Sequence, residues 1–171
     1  MTTPYVTPQP LADRHDLTAF ECASAEQTAW LRRHARQSHR SDSTRVFVVT
    51  QRDSPAVVAF YAIRMAEVAF ARATERLAKG QGRHPQPIVL IARLGVDRAH
   101  EGRGLGSELL RHAFLKAVEA SAEIGCRAVA VHCEGEQARR FYLRAVPAFE
   151  PSPADPLHLI LLIKDLRASL R

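Results

Sequence analysis

From Ile88 to Val96 the chain reads Ile-Val-Leu-Ile-Ala-Arg-Leu-Gly-Val, apolar at odd and even positions alike. Such a run predicts a strand covered on both faces, and therefore a central one. Before it, Val46 to Thr50 and Ala56 to Met65 are β-branched and aromatic runs separated by Arg52-Asp53-Ser54-Pro55, which predicts a hairpin. After it, a turn at Gly102 to Gly106 leads into an amphipathic helix from Ser107 to Glu123, stopped by Gly125. Arg127 to His132 reads as a second buried strand, Gly135 to Arg144 as a helix and Leu157 to Lys164 as the last strand. Upstream, Ser24-x-x-Gln27 is a capping box that opens a helix; Ala25, Ala29 and Trp30 begin its apolar face, and Arg32, Arg33, Arg36 and Arg40 follow around the other side. Thr2 to Leu11 contains three prolines and can be at most a short edge strand. Ala66 to Gly82 is open between a helix over Glu67 to Lys79 and a basic loop. A hairpin followed by alternating strands and helices predicts an α/β fold. Its mixed central sheet is antiparallel in the N-terminal part, parallel in the C-terminal part and flanked by helices.

Composition narrows the class. With 46% apolar and 25% charged residues in 171, the chain can bury a full core, which excludes disorder as its main state. The absence of repeats, low-complexity tracts and long linkers predicts a single domain over 1–171. The longest apolar runs, Ile88 to Ala92 and Leu159 to Ile163, fall far short of the ~18 residues of a membrane span. Met1 to Pro10 has neither the basic start nor the apolar stretch of a secretion signal, so the expected address is the cytoplasm. Cys22, Cys126 and Cys133 form no CxxC pair and no cluster at metal-ligand spacing; three reduced thiols and no metal are expected.

Charge adds a partner class. Lys and Arg number 24 against 18 Asp and Glu, for a net charge of +6. The excess sits in two stretches: Arg32 to Arg45, with five Arg and one acid, and Arg64 to Arg83, with five cations and two acids. An anionic partner is implied.

The chemistry centres on the turn after the central strand. Glycines at 102, 104 and 106 would let backbone N–H groups at a helix start approach a phosphate closely, where a Cβ would hold it away; by pattern alone the stretch is equally an ordinary glycine-containing strand-to-helix turn. No Gly-Lys-Ser/Thr closes the turn, and its G-x-G-x-G spacing misses the dinucleotide fingerprint.

Leu94-Gly-Val-Asp97, Glu101-Gly-Arg-Gly-Leu-Gly106, Leu109-Leu110 and Ala138-Arg-Arg-Phe-Tyr142 together resemble the GNAT acetyltransferases. The resemblance implies that strand amides at Leu94, Gly95 and Val96 hold the pantetheine arm of acetyl-CoA. It implies equally that Glu101, Gly102, Arg103, Gly104, Leu105, Gly106 and Ser107 hold its pyrophosphate. Glu101 stands where the family usually has Gln or Arg, and Val146-Pro-Ala-Phe149 replaces the usual Arg-x-Gly-Phe. Further fragments, among them Leu11 to Cys22, Trp30-Leu31, Val57 to Tyr61, Ile124 to Ala128 and Phe149 to Pro153, resemble the GNAT toxins of type II toxin–antitoxin pairs in order and spacing. That subfamily acetylates the α-amine of aminoacyl-tRNA, blocks translation and is restrained by a ribbon-helix-helix antitoxin; a homodimer is compatible with the same resemblance.

By resemblance Tyr142 is the general acid that protonates the departing CoA thiolate; by pattern alone it is a half-buried aromatic beside Phe141. No general base stands out among Asp97, His132 and Glu134. Arg32, Arg33, Arg36 and Arg40 suit RNA phosphates or form a solvated helix face. Arg93, inside an apolar strand, must pair with an acid or line a cleft that meets the same RNA. The rival readings are a GNAT acting on a small amine or protein N-terminus, and a non-catalytic acyl-CoA-binding module.

Overall fold

In a computed structural model that describes residues 4–170, the strand order is β1-β2-β3-β4-β5-β7-β6 in one mixed sheet. Two compact units divide the chain. The first comprises residues up to Arg64 together with Ala92–Ala113, and the second Met65–Ile91 together with the chain from Phe114 onward.

In the first unit, β1 (Gln9–Pro10) pairs antiparallel with β2 (Arg45–Thr50), and β2 with β3 (Val57–Val68), with an irregular register at Val49/Thr50. The proline-rich start thus forms a two-residue edge strand, while Thr2 and Thr3 lie outside the described residues. Ser24 opens α1 (Ala25–Arg33) by accepting a hydrogen bond from the Gln27 N–H at 3.1 Å, and α2 (Ala35–Arg40) continues the basic face. The core beneath them gathers Leu11, Leu17, Phe20, Cys22, Leu31, Val46, Val48 and Phe60.

Strand β4 (Gln86–Val96) begins in the second unit, where its Ile88–Ile91 pairs parallel with β5 (Ala128–His132); β5 pairs antiparallel with β7 (Asp155–Leu162), and β7 with β6 (Glu150–Ser152). The short turn between β6 and β7 reverses the chain, which makes that pair antiparallel. Pro151 is tolerated because β6 is the sheet's last strand. The open stretch 66–82 is neither the long helix nor a pure loop: after β3 ends come a 3₁₀ turn (Phe70–Arg72) and the short α3 (Glu75–Ala78). Thr74 caps α3 through the Leu77 N–H, and Ala73 and Leu77 anchor the segment in the core. The last strand ends at Leu162. Ile163 begins α6 (Ile163–Ser169), where Ile163 and Leu166 are buried one helical turn apart, and the apolar run from Leu159 conceals the change of period.

Strand β4 leads through a 3₁₀ turn (Arg98–His100) to α4 (Leu105–Glu123), and β5 leads to α5 (Glu136–Ala145). Buried Leu105, Leu109, Leu110, Ala113, Phe114 and Ala117 give α4 its apolar face. No helix among the described residues is long and apolar enough to cross a membrane.

Candidate active site

The turn that follows β4 is built by two left-handed glycines. Gly102 has φ +74° and Gly104 φ +80°, and beside each the space a Cβ would fill is open to 4 Å. Glu101, Arg103 and both glycines are exposed. Asp97 sets up the turn. Its carboxylate accepts from the Ala99 N–H at 2.9 Å and from the Glu21 N–H at 3.0 Å, and its own N–H donates to Val58 O at 2.8 Å. A carboxylate so engaged is a structural cap rather than a base.

Helix α4 starts two residues earlier than the pattern predicts. The Glu108 N–H donates to Gly104 O at 3.1 Å, so Gly104 occupies the cap position. The N–H groups of Leu105, Gly106 and Ser107 are then the first-turn donors that have no intrahelical acceptor. Hydrogen-bond donors at a helix start, beside glycines that leave the approach open, can receive an anion. Leu94 and Val96 are half-buried on β4.

Gly95 is glycine for a reason the sequence alone does not disclose. A Cβ there would lie 3.0 Å from Phe60 Cε1 and 3.2 Å from Cys22 Sγ, two side chains of the packed core. Gly95→Ala is therefore expected to cost about 1–3 kcal/mol through overpacking. Urea unfolding checks this: an unchanged midpoint would mean that Phe60 yields without cost.

The second unit carries Tyr142, in the last turn of α5. Tyr142 is 8% exposed, and its ring meets Phe141 at 5.1 Å and Phe149 at 6.1 Å edge-to-face, while Phe149 in turn packs on Phe114. Phe149 thus keeps the tyrosine's support although Pro147-Ala148 replaces the family's usual residues there. Burial raises the phenol pKa well above its ordinary value, and Cys133 adds to the rise. The resting hydroxyl consequently keeps its proton throughout the neutral range. Burial also pushes the Cys133 thiol up to about 11, which makes it a packing residue and no nucleophile. His132 is exposed, with Nε2 3.0 Å from Asp155 Oδ2. The Leu157 N–H holds the Asp155 carboxyl below its usual range, and His132 contributes.

The arginines separate by what holds them. Arg36 donates to Ala12 O at 3.2 Å and to His15 O, and so builds the loop before α1. Arg40 pairs with Asp13 at 2.8 Å; Arg93 pairs with Glu26 at 2.9 Å and lies 5.5 Å over the Trp30 ring. Arg93's place inside an apolar strand is thereby explained by an acid and an aromatic face on α1. Arg32 and Arg33 are exposed, and among the described residues no ion pair engages either. Arg32 and Arg36 line a cavity of about 490 Å³ with His15, Asp16, Leu17 and Thr18. In the other basic stretch, Arg76 is held by Asp165 at 2.7 Å and Glu150 at 3.0 Å.

The chain belongs to the acetyltransferase (GNAT) family, whose model matches residues 12–146. It is similar to the tRNA-acetylating toxin of Mycobacterium tuberculosis (strain ATCC 25618 / H37Rv), 43% identical over 164 residues that cover 96% of each protein. Among solved structures, it resembles a tyrosine-to-phenylalanine mutant of the AtaT toxin bound to the C-terminus of the antitoxin AtaR and acetyl-CoA, with a TM-score of 0.78 at 25% identity over 95% of this chain and 96% of that one. It shares its fold with AtaT complexed with acetyl-methionyl-tRNAfMet, TM-score 0.86 at 23% identity over 96% of this chain and 99% of that one.

Proposed function

We propose that the protein transfers the acetyl group of acetyl-CoA to the α-amino group of aminoacyl-tRNA, and so acts in the cytoplasm as a translation-blocking toxin. What carries the reading is the similarity to the tRNA-acetylating toxin along almost the entire chain. A ribbon-helix-helix antitoxin restrains the toxin, which forms a homodimer.

The amides of Leu105, Gly106 and Ser107 and the glycine turn bind the pyrophosphate, and the β4 backbone at Leu94 to Val96 takes the pantetheine arm. An α-amine titrates near ~8, and the neighbouring ester lowers that value, so the acceptor is largely neutral at pH 7 and attacks without a dedicated base. The N–C bond forms, the C–S bond breaks, water takes the amine proton and Tyr142 supplies a proton to the departing thiolate. Solvent then restores the phenol.

Arg32 and Arg33, exposed and free of ion pairs among the described residues, are the strongest phosphate ligands on α1. Each neutralised phosphate contributes about 0.7 to 0.9 to the slope of log affinity against log salt. Reversing both charges should flatten that slope for charged tRNA by about 1.4 to 1.8 and leave acetylation of a small free amine unchanged. Equal salt response with both acceptors, or faster turnover of the small amine, would replace the tRNA reading with that of a small-molecule acetyltransferase.

A further inference from the structure

Two side chains at the phosphate turn reach one phenol from the far end of the sequence. Arg103 Nη1 donates to Tyr5 Oη at 3.0 Å, and Tyr5 Oη lies 2.7 Å from His100 Nδ1, with the two rings edge-to-face at 5.6 Å. A guanidinium can only donate, so the phenol oxygen accepts from Arg103. His100 Nδ1 shares a hydrogen bond with the same hydroxyl, its direction set by the imidazole's tautomer.

Tyr5 is itself fixed. Its backbone bridges Gln51, the Arg52 N–H donates to Pro4 O and the Val6 N–H to Thr50 O, both at 2.9 Å, and its side chain is buried. A long cationic side chain on an exposed turn would otherwise spread over many rotamers, and ordering it on ligand binding costs free energy. One nitrogen of the Arg103 fork is committed to the phenol; a guanidinium has other donors with which to meet a phosphate oxygen.

We propose that Tyr5 is a positioning residue for acyl-CoA binding: its hydroxyl, braced by His100, holds the Arg103 guanidinium in place over the phosphate turn. The proposal rests on the reading of that turn as the pyrophosphate site. It assigns the N-terminal edge of the sheet a part in ligand affinity, through a contact between residues 98 positions apart.

The test compares acetyl-CoA with acetyl-pantetheine, which carries the same thioester and no phosphate. Tyr5→Phe keeps the buried ring and the backbone bridge and removes the hydroxyl. It is expected to raise the dissociation constant and KM for acetyl-CoA about five- to tenfold, with kcat at saturation and the acceptor KM unchanged. The KM for acetyl-pantetheine should move less than about twofold, and in an Arg103→Gln background Tyr5→Phe should have no further effect on acetyl-CoA. An equal loss with both thioesters would make Tyr5 a merely structural residue and overturn the proposal. So would an unaltered acetyl-CoA affinity, or a full extra loss in the Arg103→Gln background. If the wild-type protein itself fails to bind acetyl-CoA in calorimetry, the acetyltransferase reading falls and this inference with it. Tight wild-type binding matched by Tyr5→Phe sinks the inference alone.

Discussion

Tyr142→Phe is expected to slow single-turnover acetyl transfer to aminoacyl-tRNA by about 10², or ~2.7 kcal/mol of barrier, while acetyl-CoA affinity and thermal stability stay close to wild type. The substitution removes one hydroxyl and leaves the ring against Phe141 and Phe149. General acid catalysis spans about 10² to 10⁴, and the lower end applies because a thiolate with a pKa near ~8.5 leaves tolerably well without help. The raised pKa of the buried phenol adds a second signature. Because the hydroxyl stays protonated through neutral pH, the wild-type rate should show no loss attributable to phenol ionisation between about pH 6 and 9. At matched acetyl-CoA occupancy, a mutant within about threefold of wild type would return Tyr142 to the role of a packing aromatic and leave the acid unidentified.

Gly104→Val should abolish acetyl-CoA binding. The backbone there has φ +80°, where a side chain costs about 1–2 kcal/mol and a β-branched one is least at home. The fold itself meets no clash, since nothing lies within 4 Å of the added Cβ; the two methyl groups would instead fill the approach to the first-turn amides. A loss of at least about 100-fold in affinity, ~2.7 kcal/mol, is expected. In the wild type, acetyl-CoA at ~100 times its dissociation constant should stabilise the native state by about 2.7 kcal/mol, which a melting curve detects and which the variant should lack. Gly80→Val serves as the control, because Gly80 also has a positive φ (+75°) and open space beside it but lies outside the phosphate turn. It should lose comparable stability and keep its ligand response. If both variants bind acetyl-CoA like wild type, the phosphate cradle lies elsewhere.

The sequence by itself determined what local periodicity and local backbone demands can carry. The apolar-on-both-faces run placed β4, the capping box placed the start of α1, and the glycines marked the turn. Each of these is decided by residues within a few positions of one another, through side-chain period, hydrogen-bond capping and the conformations open to glycine. The tertiary structure alone decided which distant groups meet. Gly95 is kept small by Phe60 and Cys22, and Arg93 is neutralised by Glu26, 67 positions away. Arg36 is spent on loop carbonyls while Arg32 and Arg33 stay exposed, and Arg103 answers to Tyr5. It also decided that β7 returns antiparallel to β5 and that Ile163 leaves the strand for a helix. Burial pattern records that a residue is covered but not by what, because any apolar neighbour satisfies the hydrophobic effect equally well, whereas a short hydrogen bond or a missing Cβ requires one particular partner.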